Sequence, residues 1–217
     1  MIELALEASG RPGSVAARSG QRFLELELSE ESAHASDLMG ALDGLVQQLH
    51  AAPGEVSAVF VGTGPGSFTG LRVAIATAQG LARGTNAKMR GVPSFEAFAF
   101  GALEPGEEAF IVSDAYSSEL YLAHYRRETS EVACITAPHV VAAGPLDVPV
   151  RAQVFGDEKG LRAAGLTEHA NVRPYRSPSA RHVLELGALR MAELGHELPE
   201  SIEPLYLRPF AAKKRRR

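Results

Sequence analysis

A glycine-rich turn between an apolar run and a long helical pattern is the stretch of this sequence best suited to chemistry. It occupies residues 62–70 and reads GTGPGSFTG. A turn of this kind leaves backbone N–H groups free at the start of a helix, where the helix dipole favours an anion. We therefore expect a candidate contact for phosphate or nucleotide at Gly64, Gly66, Ser67, Thr69 and Gly70.

Two standard phosphate-binding motifs do not fit this turn. A P-loop places a lysine and then serine or threonine after its last glycine, and residues 62–84 contain no lysine. A dinucleotide-binding motif counted from Gly64 has threonine in the place of its third glycine, and residues 84–93 offer no acid to bind a ribose. A structural interpretation stays open, in which the glycines make a tight turn and Ser67 or Thr69 caps the helix.

Residue types that serve other chemistries are scattered. The seven histidines include no pair three or four residues apart on a predicted helix, so metal-ligand spacing is absent. Cys134 has no cysteine partner, which favours a reducing compartment, and we expect it to be a small buried residue. Glu7, Asp114 and Asp157 lie near strand ends. We expect Glu7 and Asp114 to line a cleft between two lobes, with ordinary surface positions as the alternative.

Secondary-structure patterns distribute these residues over alternating strands and helices. Strands are expected near residues 2–7, 14–17, 23–28, 56–61, 88–92, 109–113, 121–125, 131–139 and 152–155, and helices near 36–50, 68–83, 94–103, 158–164 and 179–194. The break EPGEE separates an N-terminal lobe, 1–103, from a C-terminal lobe, 104–217. The last segment, about 203–217, is a candidate to return to the N-terminal lobe. Two halves of similar rhythm predict an α/β protein with related lobes.

Two predicted helices carry more apolar surface than one sheet face requires. Residues 36–50 repeat leucine at intervals of four and three, and residues 68–83 are apolar or small around most of the helix. Small residues let another helix backbone approach closely. Either both helices fill the core, or together they expose a flat apolar surface for a partner, and the periodicity favours neither.

The bulk composition predicts a folded protein that does not enter a membrane. The chain has 217 residues, 45% of them hydrophobic, which suffices for a core. No apolar run approaches the roughly 18 residues that a membrane span needs, so we expect a cytoplasmic protein. Five positive charges stand at Lys213–Arg217, and the net charge of −4 becomes −9 once they are set aside. This basic tail is expected either to stay solvated or to touch phosphates electrostatically.

Motifs along the whole chain resemble the TsaB (YeaZ) family of bacterial tRNA threonylcarbamoyladenosine biosynthesis proteins. The most specific is GTGPGSFTGLRVAIATAQGLA at residues 62–82, and the similarity continues in family order through HASDLM, DAYSSELYLA, SPSARHVLELGA and PLYLRP. The resemblance implies the two-lobed actin/Hsp70/sugar-kinase fold, with a mixed sheet duplicated in the two lobes. It also implies a non-catalytic subunit rather than an enzyme.

The resemblance further implies a set of partners. These are a TsaD-like catalytic subunit, a TsaE-like ATPase and tRNA reached through the complex, and a second copy of the chain when it is alone. The modified base would be adenosine 37 of tRNAs that read ANN codons. The two apolar helices are implied to form a four-helix bundle with the partner, which an Ala74→Arg change should prevent. The expected contact residues are Leu38, Met39, Leu42, Leu45, Leu49, Leu71, Ala74, Ile75 and Ala78.

The resemblance implies no metal centre and no cofactor of the chain's own. Ser94 and Phe98 stand where the TsaD relatives carry metal-binding histidines, and ATP or ADP is expected only at the interface shared with the partner. The first strand ends Glu7-Ala8-Ser9 where the family usually has Asp-Thr-Ser, and Tyr116 replaces a usual arginine. Both departures argue against nucleotide binding by the chain alone.

Two enzyme classes remain as alternatives. An ATP-dependent phosphotransferase of the same fold would use the Gly64 loop for phosphate and Glu7 or Asp114 for magnesium. A metallopeptidase ranks last, because the metal ligands are missing from the sequence.

Overall fold

The computed structural model of the chain describes residues 1–29, 35–116, 118–175 and 177–208. The strands are β1 Ile2–Glu7, β2 Ser14–Ser19, β3 Arg22–Glu27, β4 Val56–Gly62, β5 Lys88–Val92, β6 Glu108–Asp114, β7 Glu119–Arg127, β8 Val132–Ala142, β9 Gln153–Gly156 and β10 Val172–Pro174. The helices are α1 Ala35–Gln48, α2 Phe68–Thr85, α3 Ser94–Ala102, α4 Glu158–Ala163 and α5 Ala180–Leu194. The predicted order of elements is confirmed, except that the three-residue strand β10 was not predicted.

The strands form two five-stranded sheets of equivalent topology. The first has the order β3-β2-β1-β4-β5 and the second the order β8-β7-β6-β9-β10. In each sheet the first strand pairs antiparallel with the second and parallel with the fourth. This repeated arrangement is the duplicated mixed sheet of the actin/Hsp70/sugar-kinase fold, as the resemblance implies.

The first sheet is covered on both faces, which explains the continuous apolar run of β4. Val59 and Val61 lie in the core cluster that contains α1 and α2. Phe60 points to the other face and packs among residues of α5, including Leu184. Because successive strand residues face opposite sides, a strand covered on both sides needs apolar residues at every position. The central position expected for this strand is therefore confirmed.

The two lobes exchange helices, so residue 103 does not divide them cleanly. Helix α3 lies before this position, yet Phe95 and Phe98 belong to the core cluster of the second sheet. Helix α5 lies after it and packs on the first sheet. Helices α1 and α2 cover one face of the first sheet, and α5 supplies most of the cover on the second, with Ala97 of α3 beside it. The chain thus returns to the first lobe well before residue 203.

A partly buried ion pair joins these two exchanged helices. Arg190 of α5 contacts the carboxylate of Glu96 of α3, and the two side chains are 28% and 11% exposed. Burial raises the pKa of Glu96, although the neighbouring guanidinium acts in the opposite direction. Because Arg190 compensates the charge of the buried Glu96 carboxylate, the ion pair helps to hold α3 against α5.

The ends of α2 differ slightly from the expected ones. Ser67 caps its start, as one interpretation of the sequence held, with Oγ accepting from the Gly70 N–H at 3.2 Å. At the other end the helix runs two residues beyond the expected position 83. The helix continues to Thr85, and Asn86 ends it in the left-handed conformation with φ of 55°. Asparagine tolerates that conformation better than most residues with a side chain.

Two further expectations have definite outcomes. Cys134 is exposed on the edge strand β8, so the expectation of a buried cysteine is wrong. It lies on a strand whose neighbouring positions are also open to solvent. No helix in the described part of the chain is long and apolar enough to cross a membrane.

Candidate functional site

The backbone of the glycine-rich turn is already hydrogen-bonded within the protein. The N–H of Gly64 donates to Ser94 Oγ at 3.0 Å, and the N–H of Ser67 donates to the carbonyl of Ser9 at 2.7 Å. The Gly70 N–H donates to the cap Ser67. Three amides that the sequence offered to a phosphate thus have partners in the folded chain, and a ligand would have to displace those partners.

The glycines of the turn are explained by close packing. A β-carbon on Gly66 would overlap the carbonyl of Ser9, and one on Gly70 would overlap the carbonyl of Ala8. Gly64 has φ of +98°, a conformation that residues with side chains rarely adopt. The loop after β1 and the turn after β4 therefore pack directly against each other. This geometry supports the structural interpretation, while phosphate contact by Gly64, Gly66, Ser67, Thr69 and Gly70 stays a prediction.

A cleft of about 850 Å³ lies between the two lobes. The residues that line it come from both halves of the chain: Ser9, Gly10, Arg11, Pro65, Gly66, Ser67, Phe95, Ser113, Asp114, Tyr116, Asp157, Glu158, Lys159, Pro174, Tyr175, Ser177 and Pro178. Asp114 is among them, as expected. Its Oδ1 accepts from the Tyr116 N–H at 3.0 Å, and Asp157 accepts from the backbone of Asp114 and Gly160. These carboxylates organise the backbone around the cleft.

Glu7 does not line the cleft, so that expectation is wrong. Its side chain is fully buried, and Oε1 accepts from the Ser9 N–H at 2.6 Å. Burial raises the pKa of this carboxyl, and hydrogen bonding to Ser9 and Ser94 only partly opposes the effect. Glu7 is the last residue of the short apolar strand β1, and the packing of that strand buries its side chain. We had expected a solvated acid at this position. A buried acid with a raised pKa supports local packing more readily than it holds magnesium.

We expect a Glu7→Gln variant to remove a pH dependence of stability. The folded pKa of Glu7 exceeds its unfolded value of 4.5, so its proton stabilises the folded state below about that pH. That contribution is lost as pH rises through the folded pKa. A glutamine has no titratable proton, so its contribution to stability does not change with pH. Urea unfolding from pH 4.5 upward should show the variant gaining stability relative to the wild type. As a control, Glu168→Gln at an exposed position should show the same dependence of unfolding free energy on pH as the wild type. If Glu7→Gln also shows the wild-type dependence, the raised pKa of Glu7 is contradicted.

The residues expected to contact a partner lie mostly inside the chain's own core. Met39 is 42% exposed, whereas the other eight are buried within their own lobe: Leu38, Leu42, Leu45, Leu49, Leu71, Ala74, Ile75 and Ala78. They cover the first sheet. Of the two alternatives that the periodicity left open, the core and a partner surface, these eight residues therefore belong to the core. An Ala74→Arg change would therefore disrupt the fold itself rather than only an assembly. Any contact made by α1 and α2 must use their opposite faces.

Those opposite faces carry several small residues among polar ones such as Asp43, Gln47 and Arg83. Gly40 and Gly44 on α1 and Gly80 and Gly84 on α2 have no described atom within 4 Å of the position that a β-carbon would take. Ala76 on α2 is exposed beside them. We call this set, together with Met39, the outer helix face. These glycines stand in pairs four residues apart on each helix, a spacing that could have been recognised from the sequence.

Replacing one of these glycines by alanine should stabilise the isolated chain. Glycine in a helix interior costs about 1 kcal/mol relative to alanine, and Gly80 has open space for a methyl group. We expect Gly80→Ala to raise the free energy of unfolding by up to about 1 kcal/mol in urea titration. A loss of stability would contradict the open space around the β-carbon position of Gly80.

Ser94 and Phe98, which the resemblance places where TsaD relatives carry metal-binding histidines, serve the fold. Ser94 is fully buried, and its hydroxyl accepts from Gly64. Phe98 stacks on Tyr175 with ring centroids 4.5 Å apart and meets Phe155 edge-on. Among the described residues no group of three or more histidine, cysteine or acidic side chains is arranged to hold a metal ion.

The protein has two mixed sheets of the same topology with a cleft between them. This arrangement places it in the actin/Hsp70/sugar-kinase class. A family model described as TsaD, tRNA N6-adenosine threonylcarbamoyltransferase, matches residues 29–154, more than half of the chain. A YeaZ structure from Pseudomonas aeruginosa superposes with a TM-score of 0.82 at 26% identity and covers 95% of this chain and 99% of that one. The chain belongs to the TsaB (YeaZ) family.

Curated relatives match over shorter segments. The tRNA threonylcarbamoyladenosine biosynthesis protein TsaB of Escherichia coli is 38% identical over 80 residues, which are 36% of this chain and 35% of the relative. The Haemophilus influenzae protein of the same name is 32% identical over 128 residues, 58% of this chain and 54% of the relative. In both cases the chain spans less than two thirds of the relative's own length.

Proposed function

We propose that the chain is a non-catalytic subunit of a complex that modifies tRNA. In this complex it binds and stabilises a TsaD-type catalytic protein, which attaches a threonylcarbamoyl group to adenosine 37 of tRNAs that read ANN codons. A TsaE-like ATPase and the tRNA join through the complex, and the chain pairs with a second copy when it is alone. Membership of the TsaB (YeaZ) family and the names of the curated relatives support this role.

The outer helix face is the observation that carries the proposal. Four helical glycines with open space each cost the isolated chain about 1 kcal/mol relative to alanine. Such a cost is offset when another helix packs backbone to backbone against them, because only glycine and other small residues permit that approach. The exposed Met39 beside them adds an adaptable apolar contact. A helix pair of the partner fits this surface, and so does the same pair of a second copy.

Catalysis is assigned to the partner for reasons that lie in the chain's own residues. Ser94 and Phe98 are committed to packing in this chain and offer no imidazole to a metal. Both carboxylate oxygens of Asp157 and Oδ1 of Asp114 accept hydrogen bonds from backbone N–H groups. These contacts support a scaffold and count against the phosphotransferase and metallopeptidase alternatives.

We also propose that the chain alone holds no nucleotide and that ATP or ADP enters only where the two subunits meet. The amides of Gly64, Ser67 and Gly70 are bonded within the protein, which supports this part of the proposal. Titration calorimetry of the isolated chain with ATP and Mg²⁺ should give no binding heat. Micromolar binding would favour the phosphotransferase instead.

The test of the main proposal is affinity purification of the tagged chain from its own cells, with the retained proteins identified by mass spectrometry. We expect stoichiometric recovery of a TsaD-like protein. Reconstitution should then show that threonylcarbamoyl transfer to tRNA requires both chains. A chain recovered alone under gentle salt, with nucleotide present, would contradict the proposal.

A further inference from the structure

Residues 203–208, the last described segment of the chain, cross from the first lobe to the second. On the first lobe, the Leu205 N–H donates to the carbonyl of Thr63 at 2.8 Å. Tyr206 lies beside the start of α2, where its hydroxyl accepts from Arg72 Nε at 2.6 Å. These contacts hold the segment against the first lobe. We call residues 203–208 the strap.

The strap reaches the second lobe through two side chains. Leu207 packs against the core cluster of the second sheet. The guanidinium of Arg208 donates to the carbonyls of Ala115 and Tyr116 and lies 2.6 Å from the carboxylate of Glu119. Hydrogen bonds from an ionised donor are about twice as strong as neutral ones. The strap is therefore attached to the loop between β6 and β7.

The loop that Arg208 holds forms part of the cleft between the lobes. Asp114 and Tyr116 line the cleft, and Asp114 Oδ1 accepts from the Tyr116 N–H at 3.0 Å. Tyr116 has φ of 61° and Ser118 has φ of 60°, in the left-handed region that residues with side chains rarely adopt. Such a conformation persists only where surrounding contacts enforce it. The bonds from Arg208 to the carbonyls of Ala115 and Tyr116 are contacts of this kind.

Two other passages of the chain join the lobes, and both lead through packed helices. The chain enters the second lobe through α3, after β5, and returns to the first through α5, after β10. The strap is the third passage in the described part of the chain, and side-chain contacts hold its far end. It can therefore detach from the second lobe while both sheets stay folded.

We propose that the strap sets the opening of the cleft and connects the cleft with α2. While Arg208 is attached, the loop at Tyr116 keeps its left-handed conformation and the separation of the lobes is fixed. When Arg208 detaches, the loop relaxes and the cleft opens. Because α2 also carries Gly80 of the outer helix face, a partner on that face shifts the balance between the attached and detached states. This link to the partner rests on the proposed function, whereas control of the cleft does not.

Hydrogen exchange of the isolated full-length chain, measured by NMR, tests the attachment. Arg208→Met removes the ionic contacts and keeps most of the side-chain length. The amides of Ala115, Tyr116 and Glu119 are hydrogen-bonded within the loop, and we expect them to exchange about tenfold or more faster in this variant. Unchanged exchange at these amides would overturn the proposal. If Arg208→Met does not fold, Glu119→Gln weakens the same attachment and replaces it.

A change at the opposite end distinguishes a strap from a local anchor. Tyr206→Ala removes contacts with α2 on the first lobe, and the loop amides of the second lobe should still exchange about threefold or more faster. Arg83→Gln is the control, because it breaks an ion pair with Glu200 whose side chains are 64% and 61% exposed. It should leave this exchange within about twofold of the wild type. A loop that responds to Arg208→Met but not to Tyr206→Ala is anchored locally, which would also overturn the strap.

The separation of the lobes is the second measurement. Spin labels on the exposed Cys134 of the second lobe and on a cysteine introduced by Gln48→Cys, at the exposed end of α1, report it by pulsed electron paramagnetic resonance. Arg208→Met should broaden the distance distribution and shift it to longer distances. An unchanged distribution would contradict control of the cleft, even if the loop amides exchange faster.

The link to the partner is tested with the protein captured in the affinity purification. Its addition should change the exchange of the Ala115 and Tyr116 amides in the wild type and leave it unchanged in Arg208→Met. No change in the wild type would remove the link between the outer helix face and the cleft. Because the exchange and distance measurements on the isolated chain need no partner, the strap and the proposed function can fail independently of each other.

Discussion

A Gly80→Arg variant is expected to lose capture of the TsaD-like partner while remaining folded. Gly80 lies on the outer helix face with no described atom within 4 Å of its β-carbon position, so an arginine meets no clash in the isolated chain. In an assembly where helix backbones meet at this glycine, the same side chain overlaps the partner and buries an unpaired charge. We expect affinity to fall about hundredfold or more, as for central interface positions.

The matched control places the same side chain on another exposed helix position. Ala192→Arg lies near the end of α5, away from the outer helix face, and should capture the partner as the wild type does. Calorimetric titration of purified chains gives the affinities, and thermal unfolding checks that both variants fold. Wild-type affinity in Gly80→Arg would remove the outer helix face from the interface. A homodimer that also dissociates in this variant would show that both assemblies use one surface.

An Arg190→Met variant is expected to lose about 3 kcal/mol of unfolding free energy. The change leaves the buried carboxylate of Glu96 without the guanidinium that compensates it. Burial already raises the pKa of Glu96 above 4.5, and removal of the arginine raises it further. The destabilisation should therefore grow as pH rises through that pKa, because the unfolded chain then releases the proton more readily.

Two comparisons isolate the pair in urea unfolding. The double variant Glu96→Leu with Arg190→Met removes both charges and should lie within about 1.5 kcal/mol of the wild type. Arg162→Met breaks an exposed pair with Glu158, whose side chains are 75% and 81% exposed, and should cost under about 1 kcal/mol. If Arg190→Met and Arg162→Met cost the same, the pair between α3 and α5 does not stabilise the packing of the lobes.

Periodicity and turn residues predicted the elements because these depend on neighbours in sequence. The apolar run before Gly62 and the capped helix after it were readable for this reason. Which side of a helix meets its own sheet depends on distant strands, so periodicity left open whether Leu42 and Ala74 face the core or a partner. The resemblance implied the partner, and the structure buries both residues in the core. Periodicity reports an apolar face without reporting what covers it.

The roles of single residues in the candidate site were harder to predict for the same physical reason. The requirement for glycine at Gly66 arises from the carbonyl of Ser9, far away in sequence. The burial of Glu7 arises from the packing of β1 within its sheet. Glycine content alone fits a phosphate loop and a packing contact equally well, and the folded chain favours packing. Sequence located the loop correctly but not the reason for its composition.

The return of α5 to the first sheet determines when the first lobe can mature on the ribosome. Most of the face that carries Phe60 stays uncovered until residues 180–194 have been synthesised. At about 5–20 residues per second, roughly 100 further residues delay that cover by about 5–20 s after β5 emerges. During this interval the nascent chain exposes apolar surface that the finished fold buries. The N-terminal lobe is therefore completed only after α5 has been translated. A chain truncated before residue 180 lacks this cover of the first sheet.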